Sequence, residues 1–449
     1  MRPFRLTESH PFPILQRQGS GAPLAGAVVA ASLALAFMLA SKGPEAALVA
    51  AVAGFGFLAT LRSRALACLA YLLLFFLGPV INPRFGLLMG TTAAKAFGAL
   101  LLVHFGWLWV RSQTSTKNNY FVLLLPLAYG ISLARTEGLT WTYYYQLLVI
   151  GVLTYLTFRY LLHEVRDLER FLELLPLLLV GLVAVQLLFA PPASWEVGVT
   201  VLAGMGSASS VSHLAALAVP LCFYFILTGR KPVRTFYLGS ALFLLLVALF
   251  MTQRGGIVGL ACGLAYMVTA LGRGRMLRTL AVLALLAGVA WALLPEGVES
   301  HLYARFTHQS PGTVWGDQQR IYFLQRSGAA FLRNPLVGGG PGVVFTLTPH
   351  NFLVGVLLDA GLVGATLFTL AMATAWRQLR EARARFVARG HDHLASWVIF
   401  LKASFLTWIV SSVFVHNAFD KLWYFYFGLA AAMWYVAVRP SASEKKQEC

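Results

Sequence analysis

Long apolar runs recur along this 449-residue chain and limit its fold more than any other feature. Each run has about the 17–25 residues that a helix needs to cross a membrane. Most of the runs have no polar face, so they do not fit the amphipathic helices of a soluble domain. Only 12% of the residues are charged, against about 25% in soluble domains. The sequence therefore predicts an all-α fold, a polytopic bundle of transmembrane helices.

Hydropathy predicts about 12–14 membrane spans, and the boundaries that we assign give about fourteen. They lie near residues 21–40, 46–61, 65–81, 87–110, 119–134, 141–162, 171–190, 209–228, 235–251, 256–271, 279–294, 350–375, 395–415 and 422–438. The first run follows a long polar leader, so we interpret it as an uncleaved helix rather than a signal peptide. We divide the chain into an N-terminal transmembrane bundle, a loop, C-terminal transmembrane helices and a tail, over residues 1–294, 295–349, 350–438 and 439–449.

The net charge of +18 follows the alternation of the spans. Most lysines and arginines fall in alternate loops, in the set that includes both termini. Because cytoplasmic loops carry this excess, we expect both termini in the cytoplasm and the 295–349 loop on the opposite side. The charge therefore needs no nucleic acid partner. The four cysteines have neither the spacing of a zinc site nor that of a disulfide framework.

The 295–349 loop is far longer than the other connections, and a loop of this length is usually functional or disordered. The sequence predicts a helix over residues 317–333, lying on the outer membrane surface. Asp317 is its expected N-cap, several large apolar residues follow, and Asn334-Pro335 is the expected stop.

Arginines on the outer side are the first candidates for a functional site. Arg254 lies between two spans next to Gln253, and the glycines that follow would let a ligand approach closely. Guanidinium groups bind phosphate oxygens in a bidentate manner, so arginines here could clamp a phosphate. The alternative is that Arg254 is only a snorkelling anchor at the membrane interface.

Three arginines of the predicted loop helix extend this candidate site, namely Arg320, Arg326 and Arg333. Arg326 and Arg333 share one helix face, and Arg320 points elsewhere. They could belong to the same phosphate clamp or be solvated charges. The glycine-rich run at residues 338–342 could add backbone N–H groups. Arg84 and Arg135, in other outer loops, are further candidates for substrate binding.

His350 lies where the loop enters a span, directly before Asn351. Neutral imidazole at a membrane–water boundary can accept a proton from a hydroxyl near neutral pH, which makes His350 a candidate general base. The alternative is a structural role at a helix start. His213 and His104 lie inside spans and are expected to be packed or hydrogen-bonded, and His416 is a lesser candidate.

Carboxylates are few on the outer side of the membrane. Asp359 lies inside its span, where a bare carboxylate needs a cation, and Lys95 or Lys402 could form a structural pair with it. The long loop offers few ligands for a divalent metal. Its only carboxylates are those of Glu296, Glu299 and Asp317. We therefore expect no metal and no other cofactor.

Short segments in a fixed order carry a resemblance. They are Gln253-Arg254-Gly255, then Arg320, then residues 334–340 (Asn-Pro-Leu-Val-Gly-Gly-Gly), then His350-Asn351, then residues 359–364 (Asp-Ala-Gly-Leu-Val-Gly). Together they resemble the O-antigen ligase and O-antigen polymerase superfamily of glycosyltransferases in the bacterial inner (cytoplasmic) membrane. The match covers residues 252–364, and the rest of the chain agrees in topology only. Gln253 stands where the family pattern has serine.

The resemblance implies an inverting enzyme that moves a glycan from undecaprenyl pyrophosphate to an acceptor hydroxyl on the periplasmic side, without metal or nucleotide. Its catalytic residues would be His350, Arg254 and Arg320, and its substrate-binding residues Arg333, Arg326, Asn351, Gln253, Arg84 and Arg135. The acceptor is lipid A–core in an O-antigen ligase, another lipid-linked repeat in a polymerase, and a protein in an O-oligosaccharyltransferase. A transporter is the alternative from another class. It would place polar residues and broken helices near the bilayer midplane.

Overall fold

The computed structural model describes residues 63–73, 119–133, 151–188, 208–307, 311–340, 351–415 and 421–439. The helices in these ranges are α1 (Arg64–Leu73), α2 (Tyr120–Leu133), α3 (Leu153–Leu161), α4 (Val165–Leu188), α5 (Ala208–Thr228), α6 (Lys231–Phe250), α7 (Arg254–Ala270), α8 (Arg273–Ala292), α9 (Val298–Phe306), α10 (Pro311–Arg333), α11 (Phe352–Ala388), α12 (Asp392–Ser412) and α13 (Lys421–Val438). None of the residues in these ranges forms a strand.

The apolar character of the helices agrees with a membrane protein. Six helices in the described ranges are long and apolar enough to cross a membrane, namely α4, α5, α6, α8, α11 and α12. Four shorter helices, α1, α2, α7 and α13, are also apolar. The prediction of an all-α, polytopic helical fold is therefore confirmed. The number of spans stays a prediction, because most of the chain before residue 119 lies outside the described residues.

Helices α7 and α12 lie antiparallel and very close together because α7 presents glycines at four-residue spacing. A Cβ atom added to Gly259 would overlap Ser411 Oγ of α12, and one added to Gly263 would overlap Thr407 Oγ1. Small residues at this spacing let two helices approach closely inside a membrane, where van der Waals packing drives association. The contact fixes the start of α7 against the end of α12.

Helix α13 runs parallel to both α3 and α11. Along α3, Tyr424 lies against Gly151 just before the helix, and Tyr435 lies under the Arg159 guanidinium at 4.3 Å. Along α11, the ring of Phe352 at its start contacts Trp423, with 4.8 Å between ring centroids.

These pairings give the bundle two chemically different ends. Arg159, Arg389 and Arg439 lie together at one end, which we call the basic end. The starts of α7 and α11 and the end of α12 lie at the opposite end, which the 295–349 segment joins, and we call it the loop end.

The longest helix in the described ranges, α11, has 37 residues and is interrupted at Gly361. The predicted span ends near residue 375, but the helix continues to Ala388 through an arginine-rich stretch. Arginine and glutamate are good helix formers, so the chain stays helical beyond the apolar part. The turn into α12 is made by Gly390 at φ +74°, where the N–H of His391 donates to Phe386 O at 2.8 Å.

The loop contains more helix than its sequence predicts. Helix α10 ends at Arg333, as predicted, but it begins at Pro311, so the prediction of Asp317 as its N-cap was wrong. Proline is favoured at the first helical position because its missing N–H needs no partner there. The preceding helix, α9, was not predicted. It starts after Gly297, which adopts a left-handed conformation at φ +87°.

Candidate active site

The loop end is organised by a junction between the loop and a break in α11. Four backbone hydrogen bonds cross this junction: Gly339 N–H to Leu358 O at 2.7 Å, Gly340 N–H to Asp359 O at 3.0 Å, Leu362 N–H to Pro335 O at 2.9 Å, and Val363 N–H to Leu336 O at 3.1 Å. Gly361 has non-helical angles, φ 63° and ψ −161°, which interrupt the helical hydrogen bonding. The loop backbone therefore takes up the groups that the break would leave unsatisfied inside the bundle.

Two glycines make this junction possible, and together with the four hydrogen bonds they form what we call the glycine lock. Gly338 has φ +74°, and a Cβ on it would lie 2.5 Å from the carbonyl of Asp359. A Cβ on Gly361 would overlap the carbonyl of Leu336. Residues 334–340 and 359–364, which carried part of the resemblance, are thus the two halves of one structural element.

The glycine lock corrects one expectation from the sequence. From the sequence, the run at residues 338–342 could have offered backbone N–H groups to a phosphate. The N–H groups of Gly339 and Gly340 instead donate to α11 carbonyls. The glycines position the loop, because they allow two backbones to approach more closely than any side chain would permit.

Asp359 is fully buried beside the break in α11. Its backbone carbonyl accepts from Gly340 N–H and from the hydroxyl of Ser132 in α2, so this residue ties three segments together. It also interacts electrostatically with the buried Tyr129 of α2. Asp359 therefore helps to hold the loop against α2 and α11.

Lys402 is not the partner of Asp359, so that alternative for the predicted pair was wrong. The Lys402 ammonium lies 3.9 Å from the ring centroid of Trp376 and 5.2 Å from that of Tyr266. Trp376 is about 25 Å further along α11 than Asp359, at 1.5 Å per residue. Aromatic faces stabilise the buried ammonium through cation–π attraction. The other alternative, Lys95, lies outside the described residues.

Arg254 and Gln253 mark the start of α7. Arg254 is the first helical residue and is half-buried, and Gln253 is the N-cap, although its side chain makes no capping hydrogen bond. Gly255 packs against Phe414, and Gly256 packs against His213. Because neither glycine has a side chain, the start of α7, with Arg254 as its first residue, packs closely against α5 and against the end of α12.

His213 has a buried imidazole, and the sequence did not indicate its environment. Its side chain is 3% exposed, and its Nε2 atom has no hydrogen-bond partner. Ser212 Oγ and Trp408 Nε1 are also buried without partners, and the His213 and Trp408 rings lie 6.2 Å apart edge to face. The sequence expectation of a packed histidine holds for the ring, but Nε2 is not hydrogen-bonded. Unsatisfied buried polar groups are rare in native structures and often have a functional explanation.

Aromatic contacts connect this region to the start of α11. The rings of Trp408 and Trp423 lie 5.7 Å apart, and Trp423 in turn contacts Phe352, the first residue of α11. Asn351 caps that helix, because its Oδ1 accepts from Leu353 N–H at 2.9 Å and from Val354 N–H at 3.3 Å. The structure thus gives Asn351 a capping role and brings the starts of α7 and α11 to the same end.

The loop arginines lie along α10 in different environments. Arg320 is half-buried, whereas Arg326 and Arg333 are exposed. Arg326 donates to the hydroxyl of Tyr322 at 3.1 Å, one helical turn away on the same face. Arg333 lies in the last turn, where a cation is favoured by the helix dipole. Arg84, Arg135 and His350 lie outside the described residues, as do His104 and His416.

Fold and site together define an all-α membrane protein with a helical loop locked into its bundle by glycines. No protein-family model matches the chain, and no curated protein matches it either.

Proposed function

We propose that this protein is a bacterial inner-membrane glycosyltransferase. It moves a glycan from undecaprenyl pyrophosphate to an acceptor hydroxyl at the loop end, on the periplasmic side. The most specific form of the proposal is an O-antigen ligase that attaches polysaccharide to lipid A–core. The glycine lock is the observation that carries it, because two segments of the resemblance that are separate in sequence form one contact.

The proposed chemistry needs cations for the leaving pyrophosphate and a base for the acceptor. Arg254 begins α7 at the loop end, and its guanidinium can bind phosphate oxygens in a bidentate manner. Arg320 lies on α10, which the glycine lock fastens to α11. His350 directly precedes the cap of α11 in sequence and would accept the proton of the acceptor hydroxyl.

The electrostatics of the loop end fit this division of roles. Preorganised cations stabilise the charge that develops on a leaving pyrophosphate without a metal ion. The sequence offers arginines at this end and few carboxylates. Glu296 and Glu299 lie exposed at the start of the loop. A single displacement at the anomeric carbon would invert its configuration.

The nature of the acceptor separates three versions of the proposal. A ligase uses lipid A–core, a polymerase uses another lipid-linked repeat, and a protein O-oligosaccharyltransferase uses a protein hydroxyl. Lipopolysaccharide profiles of a deletion strain distinguish them. Loss of all capped chains identifies a ligase, and a single attached repeat identifies a polymerase. An unchanged profile with loss of glycan from a protein identifies the third.

A transporter is the competing function, and the break in α11 is the observation that favours it. Transporters use broken helices whose free backbone groups bind substrate or ions near the midplane. Here, however, Asp359 lies only about 10 Å from the start of α11. The freed backbone groups are bound by the loop. Uptake of labelled lipid-linked glycan into proteoliposomes, without transfer to an acceptor, would support the transporter instead.

The first prediction tests the proposed leaving-group contacts. Arg254→Lys and Arg320→Lys each keep the positive charge but lose the planar fork of the guanidinium. We expect each variant to insert and fold, and to lose about 10²–10³ in transfer rate, the usual cost of one preorganised contact to a developing charge. The measurement is transfer by purified protein in nanodiscs, with lipid-linked glycan as donor and product detected by mass spectrometry.

A matched control comes from the basic end. Arg278 is exposed in the first part of α8, which begins at the basic end. Arg278→Lys should therefore leave the transfer rate unchanged. If Arg254→Lys and Arg320→Lys both transfer glycan as fast as the parent, the arginines are only membrane anchors and the proposed mechanism is wrong.

A further inference from the structure

A groove runs along the outside of the bundle between α4 and α6. Its volume is about 980 Å³, and it is open on one side. Val180 and Ala184 line it from α4, and residues from Lys231 to Phe243 line it from α6. Helix α6 is largely exposed in the bundle, so the open side of the groove faces the hydrocarbon of the membrane.

Beyond Lys231 at its rim, the groove is lined mainly by apolar side chains, and its hydroxyl groups donate within α6. Its two hydroxyl groups belong to Thr235 and Ser240, and both are already used within α6. Thr235 Oγ1 donates to Lys231 O at 3.0 Å, and Ser240 Oγ donates to Phe236 O at 3.0 Å. An extended polypeptide segment placed here would leave backbone groups unsatisfied, whereas a hydrocarbon chain has none to satisfy.

The length of the groove matches one leaflet of a bilayer. From Lys231 to Phe243 the axis of α6 rises by about 18 Å at 1.5 Å per residue. One leaflet of the hydrocarbon core is about 15 Å thick. An acyl chain from the leaflet at the basic end can therefore extend along the groove from its polar rim to the bilayer centre.

The rim of the groove is positively charged. Lys231 is exposed at the start of α6, and Arg230 and Arg234 lie beside it in sequence. The first turn of α6 has no acidic residue, and the N-terminus of the helix adds a partial positive charge. Glu173 of α4 interacts electrostatically with Tyr237, so one carboxylate is near this helix, although it does not line the groove.

We propose that this groove is a binding site for one anionic phospholipid of the leaflet at the basic end. One acyl chain lies in the groove, and the phosphate-bearing headgroup contacts Lys231. Cytoplasmic leaflets attract basic residues through their anionic lipids. The site is independent of the proposed glycan transfer, because it lies on a different face and at the opposite end from Arg254.

The test fills the groove without straining the protein. Gly239 lines the groove, and a Cβ added to it meets no atom within 4 Å, so Gly239→Trp should fold and occupy the space of the acyl chain. Gly288 of α8 is equally open but does not line the groove, so Gly288→Trp is the matched control. Lys231→Gln removes the headgroup contact and leaves the groove open.

The probe is a nanodisc containing phosphatidylglycerol and phosphatidylethanolamine in equal amounts. Extraction into mild detergent followed by native mass spectrometry counts the lipids that the full-length protein retains. We expect the parent and Gly288→Trp to retain one phosphatidylglycerol that Gly239→Trp does not. Lys231→Gln should retain about fivefold less of it, the fold-change expected for one basic residue near an anionic headgroup.

Each other outcome overturns the proposal. Equal retention in Gly239→Trp and Gly288→Trp means that no lipid occupies the groove. Retention that ignores the headgroup, or that Lys231→Gln leaves unchanged, means a non-selective hydrocarbon contact. A polyprenyl phosphate retained from the cell in place of phosphatidylglycerol means that the groove serves a different lipid. Melting temperatures of all variants, measured in the same detergent, establish that they are folded.

Discussion

The two ends of the bundle are held together by different kinds of interaction. At the loop end, the glycine lock joins loop and helix through backbone hydrogen bonds between buried atoms. At the basic end, charged side chains make the connections. Arg64 contacts Glu164 at 2.9 Å, His393 contacts Glu169 at 2.5 Å, and Arg389 donates to the Arg439 carbonyl at 2.6 Å.

This difference sets how each end responds to change. Exposed ion pairs contribute about 0–1 kcal/mol each, and salt screens them, so the basic end should tolerate the loss of any one pair. The loop end should tolerate substitution less well, because any side chain added at Gly338 or Gly361 would meet backbone atoms that cannot rotate away. An enzyme site gains from the rigid end, since catalytic groups need fixed geometry.

The largest effect is expected from adding a side chain to a glycine of the glycine lock. Gly361→Ala places a methyl group against the Leu336 carbonyl at a residue with φ +63°. With its ψ of −161°, this residue lies in a backbone region that essentially only glycine adopts, so a side chain there costs about 1–3 kcal/mol, and overpacking adds about 1–3 kcal/mol. We expect a marked fall in melting temperature in detergent and rapid proteolysis of the 295–349 loop.

The control separates backbone strain from the lock itself. Gly390 has a similar φ of +74°, but a Cβ there meets nothing within 4 Å. Gly390→Ala should therefore cost only the conformational part, about 1–2 kcal/mol, and leave the loop resistant to protease. Equal losses in the two variants would mean that the lock contributes nothing beyond glycine's backbone freedom.

A smaller effect is expected where α7 meets α12. Gly263→Ala brings a methyl group against Thr407 Oγ1 and within 2.6 Å of Ala403 O, so the helices must separate. Overpacking of this kind costs about 1–3 kcal/mol. Gly288→Ala, in open space, should instead stabilise by up to about 1 kcal/mol, since alanine is the better helix former. Thermal unfolding of both variants tests the contrast, and a stable Gly263→Ala would argue against close packing here.

Sequence patterns predicted the bounds of the helices better than the contacts at the loop end. Hydropathy placed α5, α6, α7, α12 and α13 within about four residues of their observed bounds, because lipid imposes the length of a span. The lock was not predicted. Hydropathy carries no information about which carbonyls a glycine approaches, and the sequence suggested for the glycines at 338–342 only that they could present backbone N–H groups.

The sequence indicated where some candidate residues lie, but not how they are arranged. Arg254 and Asn351 are at helix starts, where the sequence indicated. The sequence did not indicate that the His213 imidazole is buried without a partner at Nε2. That property depends on the residues of α7 and α12 packed around it rather than on its own segment. Likewise, the sequence did not indicate that the Asp359 carbonyl would accept from Gly340 N–H and from the Ser132 hydroxyl beside the break in α11.

The third effect in size distinguishes function from stability at the loop end. His213→Phe keeps a flat ring against Trp408 and removes a buried nitrogen that has no partner. An unsatisfied buried group costs about 1–3 kcal/mol, so we expect the variant to melt higher than the parent. If the imidazole serves the proposed site, the transfer rate falls by at least about tenfold, which corresponds to 1.4 kcal/mol.

Tyr71→Phe is the opposite control. Its hydroxyl is hydrogen-bonded to Thr154 at 2.8 Å, so its removal should lower the melting temperature and leave transfer unchanged. A His213→Phe variant that is more stable and fully active would show that the imidazole only fills space.

The smallest effect is a dependence on pH at the basic end. His163 lies between α3 and α4, where its Nδ1 contacts Tyr160 O at 2.9 Å and Arg64 Nη1 lies 2.6 Å from its Nε2. Burial, and then the Arg64 charge, lower the pKa of His163 from its ordinary 6.5, and Arg439 acts in the same direction, while Tyr160 O and Glu164 oppose the shift. The folded protein therefore binds fewer protons at this site than the unfolded chain.

Because the pKa of His163 is lower in the folded state, its contribution to stability is complete above about pH 6.5 and is lost as the pH falls from that value through the lower pKa of the folded protein. Acidification from about pH 7.5 to about pH 5.5 should lower the melting temperature of the parent more than that of His163→Gln, which cannot be protonated. Arg64→Gln should also reduce the dependence, since it removes the charge that opposes the imidazolium. Thermal unfolding of the three proteins at both pH values checks this. Equal shifts of the melting temperature in all three proteins would mean that other groups cause the pH dependence and that His163 does not contribute to it.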